Sequence, residues 1–206
     1  MRILAGSWRD DQRISWSIAG RIEGDPARST RGALEPTIAQ LQGGRILAVM
    51  RGSNDVKPHL PGYRWYAISS PNRASWSPAR PWTYTDGGAF FSPSSCSQLL
   101  RHSSGPLLWI GNLCAENPHG NSPRYPLVIA EVDRESGLVV RDSVTTLDDR
   151  APHENVRLTL SNFHAIEDRQ TGEVLVTLPR YFAQAPMHGS AGFTADLTLL
   201  RCGVSR

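Results

Sequence analysis

The chain has 206 residues, 39% hydrophobic and 20% charged, with a formal net charge of +3. This is a globular composition, long enough for one domain with a substantial core, and it excludes a disordered or collagen-like chain. The basic residues are too few and too scattered to argue for nucleic acid. No apolar run approaches a membrane span, and the opening MRILAGSWRDD is no signal peptide, because its apolar part is short and acids follow at once.

Six Trp, 18 Gly and 15 Pro favour a turn-rich all-β fold. In chain order, ISWSIAGRI over 14–22 alternates as a strand. Strands over 34–41 and 45–51 flank a glycine turn, YRWYAIS over 63–69 is the next, and 76–84 offers a weaker one interrupted by prolines. The pattern then restarts at 97–102, 107–112, 125–133 and 138–147, and again at 158–166, 173–180 and 193–201. Cys96, Cys114 and Cys202 form an odd set without metal-like spacing, and Cys114 beside His119 is a single pair. No metal or other cofactor is expected.

The same hairpin recurs three times, as QLQGGRILAVMR, QLLRHSSGPLLWIGN and AIEDRQTGEVLVTLPR, with glycine turns at Gly44, Gly105 and Gly172. Those glycines lie 61 and 67 residues apart. A supersecondary unit returning at that period predicts the radial repetition of a β-propeller, in which each blade presents the start of its innermost strand to a central channel. The expected units are the end of an earlier blade over 1–30, a blade over 33–84, a second over 92–147 and a C-terminal blade over 156–202. Propellers close with about four to eight blades, so about three make a partial one. The expected completion is an upstream part of a longer chain or pairing through open blade edges.

Several residues resemble the sialidase superfamily. SSPNRASW, Ser69–Trp76, stands where that family carries its Asp-box turn, S-x-D-x-G-x-T-W; Ser69, Ser75 and Trp76 fit, while Pro71 and Arg73 replace the aspartate and glycine. Glu35 opens a strand and Arg51 closes the next, sixteen residues later, as a glutamate and an arginine do in sialidases. A tight hairpin brings those two ends to the same sheet edge. Arg124, before the strand at 125–133, matches a further family arginine. The resemblance covers essentially the whole chain and maps to the later half of a six-bladed domain. It implies that a first substrate arginine and an aspartate acid/base lie upstream of Met1.

On this resemblance Glu35 is the catalytic base, and Arg51 and Arg124 bind the carboxylate of a sialic-acid-type sugar. Guanidinium forks suit that group. The implied partner is an acidic sugar or glycoconjugate, not nucleic acid and not a membrane. Family enzymes use a tyrosine nucleophile, and Leu160 stands at its aligned position; Arg157, His153 and His164 are near in sequence but are not equivalents. Three alternatives stand beside the glycosidase reading: Glu35 activating water directly, a propeller that binds acidic glycans or a protein without turnover, or an incomplete gene product with no independent function. Ser92, Ser94, Ser95 and Asp86 are further expected near the channel mouth, and Trp65, Trp76, Trp82 and Trp109 are expected as blade packing.

Overall fold

A computed structural model describes residues 1–184 and 195–204. Fourteen strands arise among the described residues, and the apolar alternation of the sequence decides how they stack. The hairpin β1 (Arg2–Trp8) and β2 (Ile14–Arg21) comes first. A four-stranded antiparallel blade follows, β3 (Leu34–Gln40), β4 (Ile46–Arg51), β5 (Arg64–Ile68) and β6 (Arg80–Pro81), ordered as in the chain. The second blade repeats it with β7 (Gln98–Arg101), β8 (Leu107–Asn112), β9 (Leu127–Val132) and β10 (Thr145–Asp148). In the last, β13 (Val174–Tyr181) pairs along one edge with both β11 (Thr159–Leu160) and β12 (His164–Glu167), and along the other with β14 (Ala195–Cys202).

This is a partial β-propeller, and its cores lie between blades. Successive side chains of a strand point to opposite faces. In β4, Leu47 and Val49 join Trp82, Trp109 and Val128 between the first and second blades, while Ala48 and Met50 join Ile22 and Trp65 towards the N-terminal hairpin. In β8, Leu107 and Trp109 face back to the first blade, while Leu108 and Ile110 meet Leu160, Val174 and Val176 of the last. Strands buried on both faces read as near-continuous apolar runs, which is why LLWIGN and ILAVMR stand out. Each fully buried Leu or Val stabilises such a stack by about 1.5–3 kcal/mol. Trp65, Trp82 and Trp109 are buried in these layers.

The three repeated hairpins are β3–β4, β7–β8 and β12–β13, and Gly44, Gly105 and Gly172 all have positive φ in their turns. Three expectations need correction. The strand expected over 138–147 forms only as β10, because the chain first turns through a 3-10 stretch at Arg141–Ser143. The inner strand of the last blade is not continuous over 158–166: it breaks at Ser161–Phe163, where Asn162 has φ 60° and its N–H donates to Cys96 Sγ at 3.2 Å. Cys96 Sγ also lies 3.4 Å from Ser161 Oγ, so a side chain of the neighbouring blade takes over bonding that a ladder would supply. The proline-rich stretch at 76–84 keeps only Arg80–Pro81 as strand, because proline cannot donate to a ladder. The start of the strand expected over 193–201 lies outside the described residues.

Candidate functional site

The chain enters the first blade through an unusual residue. Glu35 has φ 43° and precedes Pro36, and the β3–β4 register shifts between Leu34 and Thr37. A bulge of this kind re-aims a side chain at a strand end, and a left-handed non-glycine residue is a mark of functional sites. The Glu35 carboxylate accepts from Arg51 Nη2 at 2.8 Å, with Glu35 about half exposed and Arg51 largely covered. Gly52 follows directly. A Cβ there would stand 2.4 Å from Trp65 Nε1, so the chain can leave Arg51 across that ring only as glycine.

Arg124 reaches the same place from the second blade. Arg51 Nη1 and Arg124 Nη2 both donate to the Ser94 carbonyl, each at 3.1 Å. The N–H of the same Ser94–Ser95 peptide donates to Pro93 O at 2.7 Å, and the Ser94 N–H donates to Gly120 O at 2.8 Å, which anchors the residue on both sides. Thus Arg51 and Arg124 meet on one carbonyl oxygen, and Glu35 joins them through its pair with Arg51. The Ser94 hydroxyl, 1% exposed, has no hydrogen-bond partner among the described residues, nor do Arg51 Nε and Arg124 Nε.

Sequence reasoning missed Arg64. It is the cross-strand partner of Arg51 and is only 1% exposed. Its guanidinium donates to Ser92 Oγ at 3.1 and 3.2 Å, Ser97 Oγ at 2.9 Å and Ser95 O at 3.1 Å, and lies 5.6 Å from the Trp109 ring centroid. Burial pulls Arg64 down to about 10, still charged at neutral pH. Burial also lowers Arg124, and the Arg51 charge adds to the effect. Three guanidinium groups therefore gather here, and of these only Arg51 has an ion pair among the described residues, with Glu35. The nearby Arg31 is matched by Asp55 at 2.6 Å, whose carboxyl is held at about 2 by the Thr30 hydroxyl and then by Arg31. An arginine deep in a strand, as in YRWYAIS, was the signal that could have revealed the cluster.

Other expected residues fall elsewhere. Leu160 adjoins the cluster through its backbone, its N–H donating to Arg124 O at 3.0 Å, but its side chain is 0% exposed in the interblade core. Asp86, expected at the mouth, instead pairs with Arg141 at 2.6 Å, because the turn after Trp82 crosses to the outer strands of the next blade and bridges Tyr84 to Val139. Cys114 and His119 do not combine: burial pushes the Cys114 thiol up to about 12, while the His119 ring meets Asp55 O at 3.2 Å. Arg157 covers the Phe182 ring and His164 is exposed on β12.

No protein-family profile matches the chain, and no curated protein matches it in sequence. Solved structures do match in shape. The chain is similar to the NanB sialidase of Streptococcus pneumoniae in complex with 2-[(3-chlorobenzyl)ammonio]ethanesulfonate, at TM-score 0.57 and 14% identity over 97% of this chain and 26% of that one. It is similar to the intramolecular trans-sialidase of Ruminococcus gnavus in complex with oseltamivir carboxylate, at 0.51 and 16% over 98% and 40%. It is also similar to an endo-1,5-α-L-arabinanase of Thermotoga petrophila, at 0.51 and 13% over 75% and 35%. The chain thus has the fold of propeller glycoside hydrolases, and spans well under half of each of these chains.

Proposed function

We propose that this chain is the C-terminal part of a sialidase-like propeller, and that its mouth binds the carboxylate of an acidic, sialic-acid-type glycoside through Arg51 and Arg124. One observation carries the reading: two guanidinium groups from different blades converge on a single oxygen, each keeping a buried donor without a partner. A ligand carboxylate can displace that carbonyl and take charge-assisted bonds from both. Glu35, half-exposed beside Arg51, is the proposed proton acceptor. With Leu160 sealed in the core, Glu35 acts on water attacking the anomeric carbon. The acid for the leaving group comes from blades beyond this chain.

The second reading, a propeller that binds acidic glycans without turnover, is favoured by the buried Leu160 side chain. One experiment separates the two. Purified protein is titrated with the α-methyl glycoside of N-acetylneuraminic acid and with its neutral methyl ester, and is assayed on a fluorogenic sialoside beside Glu35→Gln. Weak, salt-sensitive binding of the acid but not the ester supports the site. Turnover above the Glu35→Gln protein makes the chain catalytically sufficient; equal binding of acid and ester removes the carboxylate reading.

A further inference from the structure

Arg64 buries a positive charge without an acid. Among the described residues no carboxylate accepts from it; its donors go to the oxygens of Ser92, Ser95 and Ser97. Apolar side chains of similar size would fill the same space without the desolvation that a buried cation carries. The reason for an arginine lies in what those oxygens belong to. All three residues are in the segment that presents the Ser94 carbonyl to Arg51 and Arg124.

The connections close a ring. Arg64 and Arg51 are cross-strand partners on β5 and β4. From Arg64 the path runs to Ser92 Oγ, which donates to Asn112 O at 2.8 Å. The Asn112 amide, fully buried, donates to Arg124 O at 3.1 Å and to Leu160 O at 3.0 Å. Arg124 returns through Ser94 O to Arg51. We infer that Arg64 is the positioning residue of the anion site: it grips Ser92–Ser97 and, through Ser92 and Asn112, the backbone of Arg124, and so fixes the spacing at which Arg51 and Arg124 meet one carboxylate. It touches no ligand itself. Lysine cannot substitute, because a single ammonium does not offer the planar fork that spans Ser92, Ser95 and Ser97. The ligand class rests on the proposed function; the positioning role does not.

The test uses Arg64→Lys, Arg64→Met and Ser92→Ala in the full chain. Three readouts are taken: thermal melting, affinity for the α-methyl glycoside of N-acetylneuraminic acid relative to its methyl ester, and side-chain nitrogen NMR signals of Arg51 and Arg124, assigned with Arg51→Lys and Arg124→Lys. Acid affinity is expected to fall about tenfold in Arg64→Lys and Arg64→Met alike, and a few-fold in Ser92→Ala, with the ester unaffected. The Arg51 and Arg124 signals should lose their slow-rotating, hydrogen-bonded character. Lower melting temperatures with unchanged acid affinity and unchanged arginine signals would reduce Arg64 to a structural role and overturn the inference. So would full affinity in Arg64→Lys, which would mean that charge alone matters. If the parent protein binds no acid, the ligand reading fails while the arginine signals still decide the positioning role. Should neither Arg64 variant fold, Ser92→Ala, which removes only a neutral hydroxyl, gives the same decision.

Discussion

Two arginine clusters in this chain have opposite charge balances. Among the described residues at the mouth, Glu35 pairs with Arg51, Arg64 bonds neutral serine oxygens, and a main-chain carbonyl fills the gap between Arg51 and Arg124. Between the second and last blades, Arg180 alone faces two acids, Asp148 and Glu154, the latter at 2.6 Å. The Arg180 cluster is saturated within the chain: Glu154 also accepts from Ala151 N–H at 2.7 Å, and its carboxyl is held low chiefly by Arg180. Such a cluster holds the interblade linker in place. The mouth keeps unused donors and surplus positive charge, which is what the proposed anion site requires. Buried arginines are therefore better read by their balance of partners than by their number.

Removing the saturated arginine should have the largest effect. Arg180→Met leaves Asp148 and Glu154 facing each other with side chains only 17% and 13% exposed. A loss of about 2–3 kcal/mol in urea unfolding is expected, with acid-sugar affinity retained. A loss of affinity instead would join the two clusters into one site. At the mouth the pattern should reverse. Arg124→Met should weaken acid binding about tenfold while stability stays within about 1 kcal/mol, since an unsaturated cation contributes little to the fold. Calorimetric titration beside a melting curve checks both halves.

Glu35→Gln sharpens the contrast further. Glu35 now competes with any incoming carboxylate for Arg51, so its amide variant should bind the acid a few-fold more tightly while losing whatever turnover exists. Weaker binding would mean that Glu35 orients Arg51 rather than competing for it. A smaller effect concerns pH. The Glu154 carboxyl lies below its ordinary value of 4.5 in the folded chain. Its contribution is therefore complete above that value and drains as pH falls through the lowered native one. Urea midpoints between about pH 6 and pH 3 should fall less steeply in Arg180→Met than in the parent. Smallest of all, Asp86→Asn, at the exposed Arg141 pair, should leave the melting midpoint within experimental scatter.

The three hairpins, the all-β class and the nearness of Glu35 to Arg51 were all legible in the residues. Each depends on short-range geometry: a glycine turn, period-2 alternation, and two strand ends returned to one edge by a tight reversal. The break in the inner strand at Asn162 was not legible, because its cause is a thiol 66 residues away. Nor was the reach of Asp86 to Arg141, 55 residues on.

At the candidate site the division runs along the same line. The resemblance to sialidases singled out Glu35, Arg51 and Arg124, and the hairpin reversal alone brought the first two together. What the chain could not disclose locally was the oxygen on which Arg51 and Arg124 meet, 43 and 30 residues from them, or the hold of Arg64 on Ser92 across 28. Those contacts exist because separate blades stack side by side, and stacking is set by the cores of Trp82, Trp109 and Leu160 rather than by any local rule at the arginines. Local periodicity determined which strands form; interblade packing determined which charges share a partner and which stay free.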